Sequence, residues 1–157
     1  ARRSLALNQL ACGRDELVAA DFFRFAAGQR RRGQLFDVVV LDPPFFSTSG
    51  AGSVDMAQDL ARTVMKLKPL VAHEGRLVVV NNALFLSGEA FSSALAELCA
   101  DGYMAVEERL DVPADARGLV EWGEPVWPVS PAPFSFPTKI VVLRVRRGDQ
   151  RPSSLPA

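Results

Sequence analysis

The sequence predicts an α/β fold built on a mostly parallel sheet that ends in an antiparallel strand pair. Three observations carry this. Val38 to Leu41 are apolar without alternation, the pattern of a strand covered on both faces. Candidate strands and helices alternate along most of the chain, which brings strands together in parallel with helices on both sides. The last two candidate strands are joined by an irregular stretch, Pro113 to Pro137, which holds six of the eleven prolines and cannot be a crossover helix.

In order, Ala1 to Leu10 has helical spacing (Leu5, Ala6 and Leu10 share a face), with Gly13 placed to stop it. Glu16 to Ala20 reads as a short strand ending in Asp21, and Phe22 to Arg32 as a short helix or turn with Phe22, Phe23 and Phe25 as core aromatics. Phe36 to Leu41 is the next strand. Pro43 and Pro44 lack N–H groups and end it. Ser47 to Ser53 reads as a flexible loop, with Ser53 as the cap of a helix that runs to about Val71. The apolar face of that helix is Ala57, Leu60, Ala61, Val64, Met65 and Leu67. Glu74-Gly75 turns into a buried strand, Arg76 to Val80, ending in Asn81-Asn82. Ser87 caps a helix whose apolar face is Ala90, Phe91, Ala94, Leu95 and Leu98, stopped by Gly102. Tyr103 to Val112 and Lys139 to Val145 are the final strands, and the tail 148–157 reads as disordered.

At 157 residues the chain is one domain or part of one, and 48% hydrophobic residues suffice for a core. Eighteen basic residues balance eighteen acidic ones, which argues against nucleic-acid binding through net charge; a local patch would have to supply it. Cys12 and Cys99 are far apart and fall in helical patterns, against a disulfide framework or zinc site, and no metal is expected. No apolar run reaches membrane-spanning length and no signal peptide is visible, so no membrane partner and a cytoplasmic location are expected. Nothing sets the oligomeric state.

The chemistry concentrates at Asp42-Pro43-Pro44-Phe45. The strand delivers a carboxylate and an aromatic to the carboxyl edge of the sheet, where ligands bind in open α/β folds. Asp42 and the Pro43 carbonyl can accept hydrogen bonds from an amino group, and Phe45 can stack on a flipped-out base. The plainer alternatives are a turn former before proline and a core aromatic. Asp21 can serve a ligand or simply cap the next helix. Asn82 can donate and accept toward a base edge, or close a strand-end turn. His73 and Arg30-Arg31-Arg32 fall at the opposite, amino edge and read as surface. Arg144, Arg146, Arg147 and Arg151 make the tail basic and able to assist RNA binding, and Trp122 and Trp127 can line a substrate side or form a lid.

Taken together, Ala20-Asp21-Phe22-Phe23, Asp42-Pro43-Pro44-Phe45-Phe46-Ser47 and Leu77 to Asn82 resemble class I S-adenosylmethionine-dependent methyltransferases. With Ala1 to Asn8 and Asp59, the chain is similar, more narrowly, to bacterial large-subunit ribosomal RNA methyltransferases of the cytosine-C5 and guanine-N7 group. The resemblance spans Ala1 to Arg147, taken as a partial catalytic domain. It implies a Rossmann-like sheet in the order 3-2-1-4-5-7-6, here incomplete because strands 1 and 2 precede the matched span. The glycine-rich loop and the ribose-binding acid go with those strands. The isolated chain is therefore expected to be poorly stable, to bind cofactor weakly or not at all, and to be inactive alone.

The resemblance also implies S-adenosyl-L-methionine as cofactor, with Asp21 and Phe22 contacting adenine and Asp42 near the methyl donor. Asp42, Pro43, Pro44, Phe45 and Asn82 would face the base. Cytosine-C5 chemistry needs a thiolate nucleophile. The segment after the Asn82 strand has none, so a base nitrogen in RNA, ribosomal RNA foremost, is the expected target. The rival readings are an amino-methyltransferase acting on DNA or protein, and a non-catalytic α/β module for interaction or RNA docking.

Overall fold

The computed structural model describes residues 2–11, 13, 16–43, 46–49, 52–55, 60–83, 86–110 and 138–148, with backbone alone for 46–49 and 52–55. Along the chain run α1 (Arg2–Leu7), α2 (Phe22–Arg31), β1 (Phe36–Leu41), β2 (Phe46–Ser49), β3 (Gly52–Asp55) and α3 (Leu60–Leu67). A 3-10 turn (Lys68–Leu70) follows, then β4 (Val71–Asn81), α4 (Gly88–Cys99), β5 (Met104–Leu110) and β6 (Lys139–Val145).

Four strands form the main sheet in the order β1-β4-β6-β5. β1 is parallel to β4, and β6 runs antiparallel to both of its neighbours. Three strands thus point one way and the late strand β6 slots between β4 and β5. This is the 4-5-7-6 half of the expected order, with the expected antiparallel ending.

Helices α2, α3 and α4 cover one face. Leu77, Val79, Val141 and Leu143 are fully buried there against Val64, Phe91 and Leu95. α4 is set by its ends: Ser87 Oγ accepts from the Ala90 N–H at 3.0 Å, and Gly102 sits at φ +69° just past it. α3 faces inward through Leu60, Thr63, Val64 and Leu67.

Several expectations are corrected. Glu16 to Ala20 forms no strand. A strand needs a ladder, and none of the described strands lies beside this segment. β1 is not covered on both faces: Val38 is 57% and Val40 63% exposed. Ser47 to Ser53 is not a loop ending in a helix cap. Its two arms pair as a hairpin, with Ser47 opposite Val54 and Ser49 opposite Gly52, so Ser53 lies in a strand and α3 begins only at Leu60. The small polar residues suit turns, but two short arms that pair register for register make a hairpin. Met65 and Phe25 are exposed, not core. α1 stops before Gly13: Gln9 adopts φ +57°, and the Leu10 N–H reaches back to the Leu5 carbonyl at 2.9 Å. Cys12, Met56, Ala57, Asp59, Trp122, Trp127, Arg151 and most of the tail lie outside the described residues.

Candidate functional site

The carboxyl ends of β1 and β4 and the start of β6 meet at one sheet edge, because β6 is antiparallel and pairs Lys139 with Asn81. Asp42 leaves β1 exposed and Pro43 follows half-buried; Pro44 and Phe45 lie outside the described residues. Asn82 leaves β4 with its side chain toward Asp42, Nδ2 donating to Oδ1 at 3.3 Å. A carboxylate only accepts, so the carboxamide must turn its nitrogen to Asp42 and its oxygen away. That oxygen accepts from the Thr138 hydroxyl at 2.9 Å. Asp42, Asn82 and Thr138 therefore form a line across three strands.

Beneath it, the two asparagines divide their tasks. Asn81 is buried, and its Oδ1 accepts from the Ala83 N–H at 2.9 Å, closing the strand-end turn. Asn82 is left exposed for the edge. The Lys139 ammonium donates to the Ala83 carbonyl at 3.0 Å. Lys139 is 1% exposed. That burial pushes its amine down to about 8.

Asp21 is the N-cap of α2, in extended conformation, with Oδ1 accepting from the Arg24 N–H at 3.0 Å. Phe22, at the first helical position, has an N–H with no intrahelical acceptor. Its ring packs on the core edge-to-face with Phe23 at 5.0 Å. α2 precedes β1 and runs back toward the amino edge, so Asp21 lies toward the same edge as Asp42. Asp42, Pro43 and Asn82 are thus brought together, with Asp21 on the neighbouring helix end.

The opposite edge is structural. His73 Nδ1 accepts from the Arg147 N–H at 3.1 Å. Arg144 and Arg146 pair with Glu74 at 3.4 and 3.6 Å, and the Arg147 guanidinium donates to the Pro69 carbonyl. These arginines serve the fold at the amino edge, not the site. Cys99 ends α4 at that same edge, and burial, aided by Asp101, pushes its thiol up. Among the described residues no group of three or more His, Cys, Asp or Glu can hold a metal ion. No described helix is long and apolar enough to cross a membrane.

Thr138 and Lys139 were not singled out by the sequence. Their signal was present: with a period of two, Lys139 falls on the same face as Val141, Leu143 and Val145, a lone cation on a core stripe.

No family model matches the chain. It is 38% identical over 87 residues to ribosomal RNA large subunit methyltransferase K/L of Allochromatium vinosum, covering 52% of this chain and 11% of that protein. It is 33% identical over 84 residues to ribosomal RNA large subunit methyltransferase K of Neisseria meningitidis serogroup B, covering 52% and 24%. The chain thus spans a quarter or less of the length of these relatives. Among solved structures it superposes on SMU.776, described as a methyltransferase complexed with SAH, with TM-score 0.73 at 17% identity, over 92% of this chain and 35% of that one. A protein from Streptococcus mutans, described as a SAM-dependent methyltransferase, gives 0.68 at 17% identity, over 92% and 34%. The sheet order, the antiparallel β6 and these superpositions agree: the chain carries part of a class I methyltransferase fold, and its sequence is similar to the large-subunit ribosomal RNA methyltransferases.

Proposed function

We propose that the protein carrying this chain methylates a base nitrogen of RNA, ribosomal RNA being the substrate class named for its relatives, with S-adenosylmethionine as donor. Residues 1–147 are read as part of its catalytic domain. The observation that supports this most is the Asp42–Asn82 pair at the carboxyl edge of β1 and β4, an acceptor and a donor held side by side in the open.

The residues present fit the cofactor. The Asp21 carboxylate, which caps α2, is an acceptor of the kind an adenine amine needs, and the Phe22 N–H suits an adenine ring nitrogen. S-adenosylmethionine, when bound, supplies a methyl group already activated on a sulfonium. The protein's work is then mainly alignment. Asp42 and the Pro43 carbonyl accept from the base's N–H groups, Asn82 donates to a neighbouring acceptor, and Phe45 stacks on the base. A nitrogen lone pair needs no covalent adduct. The one described cysteine, Cys99, lies at the far edge with its thiol pushed up, the opposite of an activated nucleophile.

Nucleoside mass spectrometry of ribosomal RNA from cells with and without the full-length gene tests this. One N-methylated nucleoside should vanish on deletion and return with the wild type but not with Asp42→Ala. Loss of 5-methylcytosine alone would overturn the assignment.

A further inference from the structure

We propose that Thr138 and Lys139, at the entry to β6, are positioning residues that fix how Asn82 presents its amide to the substrate. This rests on the reading of the site above and extends it to two residues that touch no substrate. Asn82 is exposed, and a solvated carboxamide ordinarily rotates about its terminal torsion. Here both ends are held. Nδ2 faces Asp42 at 3.3 Å, and Oδ1 takes the Thr138 hydroxyl at 2.9 Å. With the oxygen occupied and one N–H committed, the second N–H is left for the substrate, next to the Asp42 carboxylate.

Lys139 holds the floor. Its ammonium on the Ala83 carbonyl and the Asn81 side chain on the Ala83 N–H grip both polar groups of the residue after Asn82. The backbone that carries Asn82 is thereby fixed from below by β6 and from behind by β4. The outward face is one donor next to one acceptor. It matches a base edge with an N–H next to an acceptor, as the guanine N1–H and O6 are or the amino group and ring nitrogen of cytosine or adenine. It mismatches an edge with two adjacent acceptors.

The test uses full-length protein with 15N-labelled asparagine side chains, together with methyl-transfer kinetics. Thr138→Val should move and broaden the Asn82 carboxamide resonances. It should also lower kcat/KM for RNA about tenfold, a differential of about 1.4 kcal/mol, while leaving S-adenosylmethionine affinity unchanged. Thr138→Ser should restore both readouts, and Lys139→Met should shift the same resonances with the Thr138 hydroxyl intact. Should Thr138→Val fail to fold, wild-type nuclear Overhauser contacts decide: Asn82 amide protons near Asp42 support the arrangement, and near Thr138 they overturn it. Unmoved Asn82 resonances in Thr138→Val, or no rescue by serine, also overturn it. A wild type that transfers no methyl but shows the held Asn82 refutes the methyltransferase reading and leaves the positioning intact.

Discussion

The aliphatic rows on the two faces of the four-stranded sheet are alike in sequence and unlike in burial, and the open face adds the Arg76–Glu107 ion pair. On the helix side, Leu77, Val79, Val141, Leu143 and Val145 have no exposure. On the other side, the register lines up Val40, Val78 and Val142 in one row and Val80 and Ile140 in the next, and Val38 and Val40 stand more than half exposed. Both sets are β-branched or aliphatic, and both meet the requirement of a strand interior. What separates them is the presence of α2, α3 and α4 on one side only among the described residues. An apolar run therefore reports that a strand is built for two-sided burial, and the neighbours decide whether it is realised.

The comparison breaks most visibly at Phe91, at the centre of the covered face. Phe91→Ala should cost about 3–5 kcal/mol in urea unfolding, the usual range for an aromatic deletion in a packed core; a cost near that of a surface change would mean the helix layer is loosely held. Next is Lys139, a fully buried cation on the covered face. With the Lys139 amine lowered from 10.5 to about 8, the folded state sheds its proton before the unfolded state does. Stability should therefore rise between pH 8 and 10.5 relative to Lys139→Met, by on the order of 3 kcal/mol at the upper end. Parallel pH dependences for the two proteins would remove the buried-charge account.

Gly75 tests the joint between β1 and β4, where the register skips from Phe36–Val71 to Val38–Arg76. A Cβ there would stand 2.8 Å from the Asp37 carbonyl oxygen and 2.9 Å from Val71 Cγ1, so Gly75→Ala should cost about 1–3 kcal/mol by the same measurement. Ser87→Ala removes the cap of α4 and should cost about 1 kcal/mol. The smallest effect belongs to the open face: Val40→Thr should change stability by less than about 0.5 kcal/mol. A loss like that of a core position would show that Val40 is covered in solution.

Much of this was legible in the residues. The limits of β6, the Ser87 cap, the Gly102 stop and the Asp42 and Asn82 strand ends follow from local signals: alternation, caps and breakers act within a few residues. What the sequence did not reveal depends on neighbours far along the chain. Glu16 to Ala20 has strand composition but lacks a ladder to join, and Met65 has helical spacing but falls outside the stripe that α3 buries. At the site, Asp42 was readable from its prolines. The roles of Thr138 and Lys139 were not, because they arise only when β6 returns antiparallel beside β4 and brings residues more than fifty positions away to Asn82 and Ala83.

The placement of β6 carries a consequence for the order of events in folding. It is the last described strand to leave the ribosome, yet it belongs in the interior of the sheet, paired with β4 on one side and β5 on the other. Until it arrives, β4 and β5 each present an unpaired rim, and no other described strand joins them. Synthesis therefore passes through a window in which half the sheet exists as separate pieces with exposed backbone, the kind of interval in which nascent chains call on chaperones. Closure of the sheet and assembly of the Asp42–Asn82–Thr138 line are then a single late step, so a chain cannot acquire its site before its sheet is complete.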